Sequence, residues 1–316
     1  IIGNDLRRIN GRINLDHKAN NWLNLGLNLA VTNTLNDRIN TENTTFAPLT
    51  SAYLIRPFIQ SRDENGNFTN NDFIQNVEAI EALQINQVES TRIIGNINST
   101  INFTEDFNYK GSFGIDRTQV DNFTRLPELI DPSEDGVTPG GNAQNFIAND
   151  NRIITDHTLN YNTIFDDIHT LGFVGGITYQ ETTFNNTNIT SENFLSDDLR
   201  NIANGIGTLT SQTREKRSLY GTFGRINYDY KSRYLIEGSF RRDGFSRFGE
   251  NKRFGNFWSV SAGWIVSEES FMQQINSISL LKFRVSYGTS GNDRIGGSFP
   301  SLGLFGSAVP LIADTY

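Results

Sequence analysis

Residues 219–243 read LYGTFGRINYDYKSRYLIEGSFRRD, and their pattern decides the fold. Two stretches of alternating residues flank Lys231–Ser232. In the first stretch Ile226 and Tyr228 share one face, and Arg225 belongs to the opposite one. Alternation with period two indicates a β-strand, because successive side chains of a strand point to opposite faces. A helix would repeat its apolar residues about every 3.6 positions, and neither stretch does so.

The same alternation recurs along the chain in segments much longer than the ordinary strand of about 5–6 residues. It predicts ten strands, at 4–18, 21–37, 91–105, 107–121, 150–165, 167–183, 214–230, 232–246, 254–268 and 279–292.

The predicted connections alternate between short turns and long loops. The short turns are Lys18–Asn21, Glu105–Phe107, Asp166–Asp167 and Lys231–Ser232, and the long loops are 38–90, 122–149, 184–213, 247–253 and 293 onward. The connection 269–278 falls on the short-turn side, and we expect it to hold one helical turn. Short turns at one end and long loops at the other are typical of a transmembrane β-barrel of the outer membrane. The sequence therefore predicts an all-β, antiparallel barrel section with short periplasmic turns and long extracellular loops.

Composition excludes several classes of function. The net charge of −8 argues against a nucleic-acid partner. The absence of cysteine excludes disulfides and thiolate sites, and three scattered histidines do not suggest a metal site. No nucleophile signature is recognisable, so we expect neither catalytic residues nor a cofactor.

The chain lacks any run of about 18 apolar residues, and its mean hydropathy is −0.42. Neither observation argues against a barrel, because lipid-facing and lumen-facing residues alternate along its strands. Aromatic residues support the membrane interpretation, since Trp and Tyr prefer the interface. The predicted interface aromatics are Tyr228, Tyr230, Tyr234, Trp258 and Trp264.

The alternation also assigns the two faces of the barrel wall. Phe240 and Val285 are expected to face lipid, whereas Arg241 and Arg284 are expected to face the lumen. Glu237 lies four positions from Arg241 on the same face, and mixed charges of this kind suit a hydrated lumen better than acid–base catalysis.

Two stretches of the chain resemble a known family. They are FGRINYDYKSRYLIEGSFRRDGFSRFGENKRFGNFWSVSAGWIVSEESFM, Phe223–Met272, and LLKFRVSYGTSGN, Leu280–Asn292. The Arg-Asp-Gly-x-Ser-Arg-Phe-Gly corner, the Ser-x-Gly-Trp strand and the Ser-Glu-Glu-x-Phe-Met turn are similar to the barrel of SusC-like TonB-dependent transporters of Bacteroidota. Arg7–Ile39 resembles an earlier hairpin of the same barrel.

The resemblance implies a 22-stranded outer-membrane barrel that imports glycan or peptide fragments. Energy would come from the TonB–ExbB–ExbD complex through a plug domain, and a SusD-like surface lipoprotein would cap the mouth. We therefore expect residues 1–316 to be a section of one barrel domain, with about ten of 22 strands. The plug and the barrel-closing strands are expected to lie outside this chain, in a longer polypeptide.

A sugar or peptide substrate needs hydrogen-bonding groups and a flat apolar surface. Arg241, Asp243 and Arg247 are candidates for the first, and Phe245 and Phe254 for the second. Further candidates are the loop aromatics Tyr53, Phe58 and Phe184. An alternative is that the residues of this corner only shape the hairpin, since turn chemistry would explain its glycines, Gly244 and Gly249.

Two other classes of protein remain open from the sequence. One is a non-transporting outer-membrane barrel that acts as an adhesin or structural partner. The other is a soluble extracellular β-protein.

Overall fold

The computed structural model describes residues 4–39, 47–69, 75–132, 139–272, 274–275 and 277–292. These residues form a ten-stranded antiparallel sheet in which neighbours in sequence are neighbours in space, from β1 to β10. The prediction of an all-β antiparallel architecture is confirmed. The strands are β1 Asp5–Lys18, β2 Leu23–Asp37, β3 Ile85–Asn102, β4 Phe107–Leu126, β5 Asn142–Phe165, β6 His169–Glu192, β7 Ile206–Tyr230, β8 Tyr234–Phe245, β9 Phe254–Ile265 and β10 Lys282–Gly288.

The register gives the sheet two chemically distinct faces. Asp116 lies opposite Arg152, and the next residue along β4, Ile115, lies opposite Ile153. Because directly opposed residues share a face, the alternation of each strand is transmitted to its neighbour. We call the side of Arg152 and Arg241 the polar face, and the side of Ile153 and Phe240 the apolar face.

On the apolar face, the apolar side chains are confined to the half of each long strand nearest the short turns. We call this region the apolar band. In β6 the band runs from His169 to Tyr179 and is followed on the same face by Glu181. In β4 it ends at Ile115, and Arg117 follows. Since a transmembrane strand needs about 9–11 residues, the band has the length of one membrane crossing. The outer parts of β3–β7 lie beyond it and carry mostly polar side chains on both faces, with scattered apolar ones such as Phe123 and Phe184.

The sheet has almost no hydrophobic core of its own. Among the described residues the buried apolar side chains are few, and most of them lie at the outer loops: Ala47, Ala79, Ile80, Ile130, Ala143, Ala148, Phe194 and Val266. Large side chains of the apolar face are instead open, with Ile236 56% and Val285 69% exposed. A continuous exposed apolar surface of this extent marks an interaction with lipid or protein, and it speaks against the soluble alternative.

Two of the short turns are confirmed as tight hairpins. Asp166, Asp167, Lys231 and Ser232 all have positive φ, between 51° and 56°. The N–H of Arg233 donates to the carbonyl of Tyr230 at 3.1 Å and closes the second turn. Two successive left-handed residues define a type I′ turn, whose twist matches that of the flanking strands.

The predicted loops at the other end were too long. β5 begins at Asn142 rather than 150, β6 continues to Glu192 rather than 183, and β7 begins at Ile206 rather than 214. The connections shrink accordingly to 127–141 and 193–205.

Short helical segments occur in the connections. The β2–β3 connection contains two helices, α1 Pro48–Leu54 and α2 Val77–Leu83. The expected helical turn is not found in the described residues of 269–278, and a 3-10 turn lies just before that range, at Val266–Glu268. No helix in the described part of the chain is long and apolar enough to span a bilayer.

Candidate functional site

Three of the predicted substrate-lining residues, Arg241, Asp243 and Phe245, meet in one pocket on the polar face, at the loop end of β7–β10. A fourth, Phe254, borders the pocket from a position on the apolar face of β9. The pocket has a volume of about 460 Å³. It is lined by Leu219, Arg241, Asp243, Phe245, Phe248, Lys252, Arg253, Phe254, Gly255, Phe257 and residues 289–292. We call it the Arg241 pocket.

A charged pair lies on the strand wall of this pocket. Arg241 and Asp243 project from the same face of β8, and the Arg241 Nε donates to both carboxylate oxygens of Asp243 at 2.7 Å. The pair lies over β7 at Gly221, where a Cβ would come within 2.6 Å of the Asp243 carboxylate. The absence of a side chain at Gly221 therefore makes room for the pair, which is neutral as a unit.

Aromatic rings form the rest of the wall. Phe245 and Phe248 meet edge to face with centroids 5.9 Å apart. The Arg242 guanidinium lies 4.9 Å from the Phe254 ring centroid. Phe245 and Phe248 thus offer the flat apolar surface that the sequence predicted there. Phe254 was predicted to share it, but its register with Gly244 puts its side chain and that of Arg242 on the apolar face.

The explanation of Gly244 by turn chemistry is wrong. Gly244 is a buried residue within β8, outside the left-handed region. Phe254 lies directly opposite, and a Cβ on Gly244 would fall 2.4 Å from its ring. Gly244 is therefore needed for the close approach of Phe254. Gly249 likewise has a negative φ, of −56°, and precedes a short 3-10 turn.

Arg247 does not line the Arg241 pocket. Its guanidinium lies 5.4 Å from the centroid of the Phe245 ring, within the hairpin loop itself. The contact supports the position of Phe245, so that Arg247 acts on the pocket through its neighbour.

The three predicted loop aromatics lie apart from the Arg241 pocket. Tyr53, in α1, is 81% exposed, and Phe58, which follows that helix, is 77% exposed. Phe184 was wrongly placed in a loop. It lies within β6 on the polar face, opposite Asp150 and Glu215.

Several pocket residues were not predicted from the sequence, among them Phe257, Lys252 and Arg253. Phe257 lies on the polar face of β9, opposite Arg241. Because Trp258 was assigned to the lipid-facing side, the alternation of β9 predicts that its neighbour Phe257 lies on the lumen-facing side. Lys252 and Arg253 come from the hairpin loop, and no pattern in the sequence distinguishes them from other loop cations.

The predicted interface aromatics are all on the apolar face. Tyr230, Tyr234 and Trp264 are direct cross-strand neighbours close to the short turns. Tyr228 lies on the same face of β7, and its hydroxyl contacts the His169 ring at 2.5 Å. Trp258 lies toward the other edge of the band, with its ring 5.7 Å from that of Tyr287. Their role at a membrane interface stays a prediction.

No family model matches this chain. It is, however, similar in sequence to curated proteins, among them the following two. The TonB-dependent receptor P39 of Formosa agariphila is 30% identical over 313 residues, which cover 96% of this chain and 29% of that receptor. The TonB-dependent receptor SusC of Bacteroides thetaiotaomicron is 40% identical over 90 residues, 28% of this chain and 9% of that receptor. The chain thus spans less than a third of the relatives' length.

Among solved structures, the RagAB peptide transporter is similar with a TM-score of 0.77. The match covers 94% of this chain and 34% of that one at 24% sequence identity, so that it concerns the fold alone. It agrees with a section of an antiparallel β-barrel.

Proposed function

Because this chain belongs to the SusC-like TonB-dependent receptors, as a section of their outer-membrane β-barrel, we propose that the protein containing it imports nutrient fragments. The imported compound would be an oligosaccharide or oligopeptide, and TonB–ExbB–ExbD would supply the energy through a plug. Residues 1–316 would be one section of a single barrel domain, and further strands would close the barrel.

The main support is the chemistry of the polar face. Some of its charged side chains form ion pairs, namely Arg92 with Asp116 and Arg241 with Asp243, each with closest atoms 2.7 Å apart. A lumen wall of this kind offers many hydrogen-bonding groups without a large net charge, which suits the passage of a neutral polar solute. The Arg241 pocket lies at the loop end of this wall, where a substrate entering from outside would first meet it.

We propose a SusD-like surface lipoprotein as the partner at the loop end. The exposed Tyr53 and Phe58 and the rim of the Arg241 pocket would lie on that side of the membrane. The substrate would then be held between the lipoprotein and the barrel mouth.

The experiment is a growth screen with the full-length gene in its own host. Deletion should abolish growth on one class of polysaccharide or protein as sole nutrient. The wild-type gene should restore it, and a gene lacking the TonB-contacting segment should not. Normal growth of the deletion strain on every nutrient, with loss of surface attachment, would favour the adhesin alternative instead.

A further inference from the structure

A second cavity lies on the polar face of β5, β6 and β7, apart from the Arg241 pocket. Its volume is about 160 Å³, and it is lined by Asp150, Thr182, Phe184, Glu215 and Arg217. We call it the Phe184 subsite. It lies beyond the apolar band, in the outer part of the strands, where both faces are mostly polar.

The register arranges the five lining residues and the neighbouring Arg152 as two rows of three. Phe184 lies between Asp150 and Glu215, and these three form the outer row. Two positions nearer the membrane, Thr182 lies between Arg152 and Arg217. Since neighbouring strands are about 4.8 Å apart, the Cα atoms of the two acidic residues are separated by roughly 10 Å, with the aromatic ring between them.

The inner row has donors that the protein leaves unused. Thr182 is only 3% exposed, and within the described residues its Oγ1 has no hydrogen-bond partner. The Nε of Arg152 is also buried without a partner there. A buried polar group left unsatisfied costs about 1–3 kcal/mol, so native proteins rarely keep one without a reason. Water, or a ligand oxygen that displaces it, can complete both groups, so the inner row is a place where a ligand acceptor would be bound.

Charge and geometry narrow the chemistry of that acceptor. Asp150, Glu215 and Arg217 line the cavity, so its lining carries both signs of charge. Arg152 lies beside it in the inner row, opposite Asp116 on β4. A lone anion would satisfy only the inner row, and a lone ammonium group could not reach both acids of the outer row. A hydroxylated ring meets both rows, because each hydroxyl donates to a carboxylate or accepts from Thr182 and the arginines. Its apolar face would lie on Phe184.

The volume of the Phe184 subsite suits a single sugar ring. An engineered cavity of about 150 Å³ in another protein binds a single benzene molecule. The Phe184 subsite is of similar size.

We propose that the Phe184 subsite binds one sugar ring of an oligosaccharide as it moves from the loops into the lumen. This inference rests on the proposed import function and specifies its substrate class as carbohydrate. The Arg241 pocket and the Phe184 subsite then contact separate parts of the same substrate.

The test uses the purified full-length protein in detergent and isothermal titration calorimetry. The probes are maltohexaose, cellohexaose, xylohexaose, mannohexaose and galactohexaose, with tetra-alanine as the peptide probe. At least one hexasaccharide should bind, and Phe184→Ala should weaken its binding by about tenfold or more. Phe184→Tyr keeps the flat ring and should stay within about threefold of wild type. Phe123→Ala, on the other face of β4, is the matched control and should bind like wild type.

The variant Thr182→Val distinguishes a loss of ligand affinity from a loss of protein stability. The hydroxyl has no partner in the free protein, so its loss should leave the unfolding temperature unchanged or higher. Hexasaccharide affinity should nevertheless fall, because a ligand oxygen loses its donor.

Several outcomes would overturn the proposal. They are binding of tetra-alanine alone, no binding of any hexasaccharide, or hexasaccharide binding that Phe184→Ala and Thr182→Val leave unchanged. Failure of the import function is read separately, from the growth screen. Growth that depends on the gene, combined with unaffected binding in both variants, refutes the subsite and leaves import standing.

Discussion

At the scale of single residues, polar ends of aromatic side chains point toward the short turns. The Tyr234 hydroxyl and the Trp264 Nε1 both donate to Glu269, at 2.6 Å and 3.0 Å. The hydrogen bond from Tyr234 holds the pKa of the Glu269 carboxyl below its ordinary value. Each ring thus keeps its apolar body on the band and its donor at the aqueous edge, as expected at a membrane interface.

Val260 tests which face meets lipid. It lies on the apolar face between Trp258 and Trp264 and is 52% exposed. Val260→Arg should lower the free energy of unfolding by about 2–4 kcal/mol, because it puts a charge near the bilayer midplane. Urea unfolding of the full-length protein in lipid vesicles measures this.

Ser261→Arg is the matched control, one position along β9 on the polar face. Ser261→Arg should lower the free energy of unfolding by about 1 kcal/mol or less, since a lumen-facing charge remains hydrated. Equal costs for the two variants would contradict the assignment of the faces.

At the scale of elements, the hairpin turns retain backbone strain. Lys231 and Ser232 have φ values of 54° and 53°, which glycine adopts more readily than any residue with a Cβ. Ser232→Gly should therefore raise the free energy of unfolding by about 1 kcal/mol. The same vesicle assay measures it. Ser239→Gly, at an extended position within β8, should instead destabilise the protein, and stabilisation by both changes would refute the explanation.

The outer loop before α2 should depend on pH. The Asn67 N–H donates to the Asp63 carboxylate at 2.8 Å and lowers the pKa of that group. Hydrogen bonds from Ser61 and Arg62 likewise lower the pKa of Glu78. Because both folded-state pKa values lie below the unfolded ones, the contacts stabilise the loop above about pH 4.5 and are lost as pH falls below it.

Hydrogen exchange of residues 60–69 and 75–78 should show constant protection from pH 7 to about pH 5 and a loss below about pH 4. Asp63→Asn combined with Glu78→Gln should flatten this dependence. Glu64→Gln, in the same turn, should leave it unchanged. A loss of protection on raising the pH would contradict the sign of both shifts.

At the scale of the whole molecule, the described sheet is open. β1 pairs only with β2, and β10 only with β9, within the residues described. An unpaired strand edge in lipid leaves backbone groups without partners, which is why membrane-spanning sheets close into barrels. Residues 1–316 expressed alone should therefore aggregate in detergent, whereas the full-length protein should give a compact species. Size-exclusion chromatography compares the two, and a stable monomer of the section would contradict this view.

The sequence alone determined the ten strands, the short turns and the chemistry of the two faces near the membrane. It could do so because lipid on one side and water on the other impose a strict alternation. Only the tertiary structure decided how far the strands extend beyond the band, where water meets both faces and stretches such as Thr183–Glu192 lose their alternation. It alone also decided which side chains meet, because Asp150, Phe184 and Glu215 are joined by strand register rather than by position in the chain.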